Sequence, residues 1–110
     1  MTYIEIYTLI RSIGLPVTYH HWQPGKVPSL PYLVYWVDET RHFTADNRIY
    51  QKIVSIQLEL YSDQKNFAAE ERVERILDEN KIVYDKLEAY IESEKLLEQI
   101  YEFELLLEES

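Results

Sequence analysis

Three histidines, His20, His21 and His42, are the residues of this sequence best suited to proton transfer near neutrality. Nucleophilic catalysis needs a base beside the nucleophile, and histidine usually supplies it. His20 and His21 are adjacent in a β-branched, aromatic run, Val17–Trp22, which predicts a short strand. Neighbours in a strand point to opposite faces, so these two are not expected to share a metal. His42 follows Asp38 and Glu39, and a small hydrolase site on these residues is the one enzymatic arrangement available, although no spacing requires it. Structural or surface histidines are the simpler expectation.

The carboxylates single out no pair. Residues 1–55 carry five basic and four acidic side chains, whereas residues 56–110 carry six basic and sixteen acidic, so the net charge of −9 belongs to the second half. A catalytic acid–base pair needs two environments that pull its pKa values apart, and so dense a run reads as a solvated acidic face. Two glycines in separate contexts, Gly14 and Gly25, make neither a dinucleotide fingerprint nor a phosphate loop. The absence of cysteine excludes disulfides, thiol chemistry and cysteine-ligated metal sites. No cofactor, metal or catalytic residue is therefore expected. The acidic surface repels phosphate and anionic lipid, which disfavours duplex DNA and membranes as ligands.

The elements around these residues follow from patterning. The 110 residues suffice for one domain with a modest core. Thr2 followed by Glu5 fits a capping box, and Tyr3, Ile6, Tyr7, Ile10 and Ile13 then recur at helical spacing until Gly14 and Pro16 end the helix. Residues Gln23–Pro31 hold three of the four prolines and form a loop, which either touches a partner or stiffly connects two strands. Tyr32–Val37 reads as a strand, and the polar stretch Asp38–Arg48, with Asp46 and Asn47 as a turn signal, as its connection. Ile49–Tyr61 is the clearest strand, with Val54, Ile56, Leu58 and Leu60 alternating against polar residues.

Phe67–Asn80 reads as a helix with Ala69, Val73, Ile76 and Leu77 as its stripe and Asn80 as a left-handed stop. Ile82–Glu92 reads as a strand with Leu87, Ala89 and Ile91 on one face. The last segment fits a helix through Leu96, Ile100, Phe103 and Leu107, and a strand equally well through Tyr101, Phe103, Leu105 and Leu107. There is no internal repeat and no linker. The longest apolar run, Tyr32–Val37, is far short of a membrane span, and the N-terminus lacks a basic region and a cleavage site. The expectation is a soluble protein of the cell interior, or one assembled there.

With catalysis and nucleic-acid gripping disfavoured, a binding or assembly protein remains. Half-exposed aromatic residues on strands, Tyr32, Tyr35, Trp36, Tyr50 and Tyr61, are the kind of surface that pairs with other subunits. The loop adds Pro24, Lys26, Pro28 and Pro31 as candidate interface residues.

Pro31-Tyr-Leu-Val-Tyr35, Asp38, Phe43-Thr-Ala-Asp-Asn47, Tyr50-Gln-Lys52, Leu58-Glu-Leu-Tyr-Ser-Asp-Gln-Lys65 before an acidic helix, Ile91-Glu-Ser-Glu94 and Gln99-Ile-Tyr-Glu-Phe-Glu104 occur in that order. In order and spacing the chain resembles small head–tail joining proteins of phages and prophages of Gram-positive bacteria. These minor capsid proteins are similar to the tail terminators of long-tailed phages. The likeness covers most of the chain from residue 30 onward and the short N-terminal helix, and no catalytic residue carries over. It implies an α+β domain with a mostly antiparallel sheet and two helices packed on it, the second at about residues 67–80. It also implies that Lys95–Leu107 is a strand.

The resemblance further implies a non-enzymatic structural protein of the virion neck, assembled in the host cytoplasm. Such a protein forms a ring, commonly a hexamer, on the tail tube and docks to the head connector. Gln23–Pro31 would then face a neighbouring subunit or the connector. The acidic half would border a channel through which DNA slides without sticking. That last placement fails if the carboxylates lie on the outer rim. The alternative is an acidic DNA mimic that inhibits a nucleic-acid-binding protein, which requires carboxylates spaced like phosphates along an elongated surface. The hydrolase reading ranks below both.

Overall fold

The N-terminal helix begins as its sequence dictates: Thr2 N–H donates to Glu5 Oε1 and Glu5 N–H to Thr2 Oγ1, both at 3.1 Å. The computed structural model describes the backbone of residues 1–45 and 48–108 and the side chains of residues 1–42 and 52–108. The elements are α1 (Tyr3–Arg11), β1 (Val17–Tyr19), β2 (Tyr32–Ala45), β3 (Arg48–Ser62), α2 (Phe67–Glu79), β4 (Asp85–Ile91) and β5 (Leu96–Leu107). They build one α+β domain with a five-stranded sheet in the order β1-β2-β3-β5-β4. All neighbours are antiparallel except β1 and β2.

Both helices lie on one face of this sheet. Ile6, Leu9, Ile10 and Ile13 from the α1 side and Ala69, Val73 and Leu77 from α2 close over Leu33, Val54, Ile56, Leu58, Leu60, Tyr101, Phe103 and Leu107. Tyr3 and Tyr7, expected in the α1 stripe, stay exposed, and Leu9 is buried in their place. Asn66 caps α2 by accepting from Ala69 N–H at 3.0 Å. The left-handed residue that ends it is Lys81 (φ 56°) and not Asn80 (φ −94°).

Several strand bounds differ from the sequence reading. β1 stops at Tyr19 because His20 takes φ 69°, which no strand residue adopts. β2 runs on through Asp38–Ala45, where polar side chains had suggested a connection. There β2 is the edge of the sheet, because β1 ends opposite Tyr35 while Lys52–Ile56 of β3 still pair with β5, so the side chains of Asp38–His42 are solvated without leaving the strand; past Lys52, β2 and β3 continue as a two-stranded arm. The turn expected at Asp46 and Asn47 lies outside the described residues.

β4 begins at Asp85, after Ile82 has turned into the core. Its two faces divide as expected, but the charged set points at the helices: Lys86 Nζ meets Glu70 Oε1 at 2.7 Å and Glu74 Oε2 at 2.9 Å, whereas Leu87 is exposed. The last segment is the strand β5, paired with β3 from Leu97 to Leu107 and with β4 from Leu96 to Glu102. Two partners outweigh its helix propensity. No helix is long and apolar enough to cross a membrane among the described residues.

Candidate interaction surface

The sheet face turned away from the helices is covered by no secondary-structure element. Register aligns its rows: Tyr32, Tyr61, Glu98 and Ala89 in one, Val34, Glu59, Ile100 and Leu87 in the next, and Trp36, Gln57, Glu102 and Asp85 in the third. β1 is parallel to β2, so the chain from His20 to Pro31 must return along the sheet, and it reaches this open face. The His20 ring stands 5.8 Å from Trp36 and the Trp22 ring 5.8 Å from Tyr32. Tyr32 in turn stands 5.3 Å from Tyr61, which completes an aromatic row across three segments.

Beside this row two carboxylates are buried. Glu59 accepts from Gln57 Nε2 at 3.0 Å and from the Tyr61 hydroxyl. Burial raises the Glu98 carboxyl to about 7, helped by its hydrogen bond to Glu59 and the Glu59 charge and opposed by the Tyr61 hydroxyl. Burial, then hydrogen bonding to both carboxylates, pushes the Tyr61 hydroxyl up. Among the described residues no lysine or arginine lies within ion-pair distance of either carboxylate.

The candidate residues from the sequence divide between surfaces. Trp36 and Tyr61 lie on the open face, each half-buried, and Pro24 and Lys26 are exposed in the loop. Pro28 and Pro31 are half-buried there, with a cis peptide bond between Leu30 and Pro31. Tyr35 is corrected: it points to the helix side, 8% exposed, with its ring 6.5 Å from Tyr7 and 5.1 Å from Tyr19. The alternation from Leu33 through Tyr35 to Val37 sends it inward. The side chain of Tyr50 lies outside the described residues.

His20 and His21 are also corrected. Beyond the end of β1 they do not alternate, and their Nδ1 atoms stand 3.0 Å apart. A metal would need further ligands, and no group of three His, Cys, Asp or Glu side chains among the described residues could hold one. Trp22 and the Glu59–Glu98 pair were not singled out from sequence. The signal for Glu59 was its place in the polar alternation of β3, and nothing distinguished it from the other acids.

Two hollows accompany the sheet. An open cleft of about 840 Å³ has Asp38, Glu39, Asp85, Glu102 and Glu104 in its wall, with Lys81 as its cation and Ser55 without a neighbouring histidine. A smaller one of about 300 Å³ lies between α1 and the β1–β2 side, lined by Tyr3, Ile6, Tyr19, Tyr35, Val37 and Ile56. On the helix side Glu70, 3% exposed, collects Lys65 and Lys86, while Glu74 holds Lys86 and the Tyr101 hydroxyl. Burial alone would raise Glu74, but the Lys86 and Tyr101 hydrogen bonds outweigh it and hold it below the usual carboxylate value. That network ties α2 to β4 and β5.

No family model matches this sequence, and no curated protein matches it.

Proposed function

We propose that this chain is a non-enzymatic structural protein of a phage or prophage head–tail junction, of the tail-terminator kind, which assembles as a ring on the tail tube and docks to the head connector. The virion neck is its place and the host cytoplasm its site of assembly. The observation that carries the reading is the relation between the two sheet edges. β4 runs opposite to β2, and β1 runs with β2, so β4 of one copy meets β1 of a second copy in the same orientation as an antiparallel neighbour. An edge that fits a different edge of the next copy gives a heterologous contact, the kind that closes into rings. The β4 edge is seven residues long and exposed at Leu87 and Tyr90.

Two further features support the reading. The strand at Leu96–Leu107 is the conformation that the resemblance to head–tail joining proteins implies. The arm of β2 and β3 past Lys52 runs on beyond the end of β5 and suits contact with a neighbouring ring. DNA mimicry ranks second. The carboxylates on the open face of β5, Glu98, Glu102 and Glu104, do not form a phosphate-like row, because Glu98 is buried and Glu104 is paired with Arg41 at 2.6 Å.

Light scattering across a concentration series, with negative-stain imaging, tests the assembly. Rings of one size are expected at high concentration. A monomer at every concentration that instead captures a defined DNA-binding protein would favour the mimic.

A further inference from the structure

The open sheet face has a charge that the helix side of a second copy does not complement. Its strands expose Glu39, Asp85, Glu102 and Glu104, and Arg41 is the one cation beside them among the described strand residues, its guanidinium already engaged by Glu104. Between these acids stand the half-buried Trp36 and Ile100 and the exposed Leu87, whereas Val34, Glu59 and Glu98 are buried. The exposed side of the two helices offers no matching cationic area: Arg11, Arg72 and Arg75 are interspersed there with Glu5, Glu71, Asp78 and Glu79. Like charges facing one another across an interface cost affinity, and opposite charges guide partner choice. The helix side of a second copy is therefore the wrong occupant for this face.

We propose that the open face of the sheet docks a different protein, one that presents lysine or arginine side chains among aliphatic ones. An arginine also stacks on tyrosine and tryptophan faces, which the row of Trp22, Tyr32 and Tyr61 provides at the margin. The proposal rests on the assembly reading for what the partner belongs to, and it leaves the β1 and β4 edges free for self-association.

The test uses the full chain and two synthetic peptides, one alternating arginine with leucine and one alternating arginine with serine, titrated by calorimetry. The arginine–leucine peptide is expected to bind tighter. The triple variant Glu39→Gln, Asp85→Asn, Glu102→Gln is expected to weaken it about tenfold, while Glu71→Gln, Asp78→Asn, Glu79→Gln on the outer side of α2 changes it less than about twofold. The single variant Glu102→Lys repeats the test at one exposed position and is expected to weaken binding in the same direction.

Equal losses in the two triple variants, equal binding of the two peptides, or unchanged binding by Glu102→Lys would overturn the proposal. Light scattering on the same samples reads self-assembly separately. Loss of docking with rings intact leaves the assembly reading standing, and loss of rings with docking intact leaves this proposal standing.

Discussion

Glu59 and Glu98 are diagonal neighbours across β3 and β5, with Tyr61 directly opposite Glu98 in the register, and both carboxyls are buried on the sheet face that no helix covers. Diagonal side chains of this length meet, and burial beside Glu59 raises the Glu98 carboxyl. The consequence is a pH dependence of opposite sign to that of the ion pairs. A carboxyl raised from 4.5 to about 7 favours the folded chain while it keeps its proton. That contribution is full below about pH 4.5 and disappears as pH climbs through 7, with a ceiling of about 3 kcal/mol. Urea unfolding between pH 5 and 8 should show wild-type stability falling through this window, and Glu98→Gln, which keeps a donor for Glu59, should flatten the fall. An equal slope in both proteins would remove the raised Glu98 carboxyl from the account.

On the helix side the sign reverses. Glu74 and Glu88 are held below the usual carboxylate value: for Glu74 the Lys86 and Tyr101 bonds overcome burial, and for Glu88 the Lys65 and Gln99 bonds lead. Their contribution is present above the ordinary carboxylate range and is lost on acidification below it. Within this network Glu70 is the buried hub, accepting from Lys65 at 3.0 Å and from Lys86 at 2.7 Å. Both lysines are partly solvated, which tempers the penalty of leaving them unpaired. Glu70→Ala should cost about 2 kcal/mol in thermal or urea unfolding, more than an exposed pair such as Arg41–Glu104, whose removal should cost less than about 1 kcal/mol.

Gly14 follows the α1 cap with φ +88°, and the Arg72 guanidinium lies where a Cβ would project. The same arginine donates from Nε to Ile13 O at 3.2 Å and so ties α2 to the end of α1. Gly14→Ala should therefore lower stability by about 1–2 kcal/mol through left-handed strain, and more if Arg72 is forced off Ile13. Arg72→Ala in the same background should recover the part due to crowding. Strict additivity of the two losses would show that the arginine plays no part.

The parts of this molecule legible from sequence were those in which local chemistry and tertiary burial agree. The Thr2–Glu5 capping box, the alternation Val54-Ile56-Leu58-Leu60 and the Ala69–Val73–Leu77 stripe each point one way at both levels. Legibility failed where tertiary context decides. Asp38–His42 is polar because β2 is an exposed sheet edge once β1 has ended, a pattern that a loop shares. Lys86 faces the helices because Glu70 and Glu74 await it there, which period-2 alternation cannot reveal. β5 carries helix-favouring residues and becomes a strand because β3 and β4 offer it two sets of backbone partners. The buried acids were hidden by their number, since Glu59 and Glu98 differ from the other carboxylates only in what lies across the strand.

The central claim is that copies join in one orientation through opposite edges of the sheet. Because the chain contains no cysteine, an introduced pair reports this directly. Thr18 on β1 and Leu87 on β4 stand at the two ends of one register row, through Val34, Glu59 and Ile100. The double variant Thr18→Cys, Leu87→Cys, oxidised at high concentration and separated without reductant, should give a disulfide ladder that ends at one closed size, while each single variant gives at most a dimer. A double variant that stays monomeric, or stops at a dimer, would contradict edge-to-edge ring assembly.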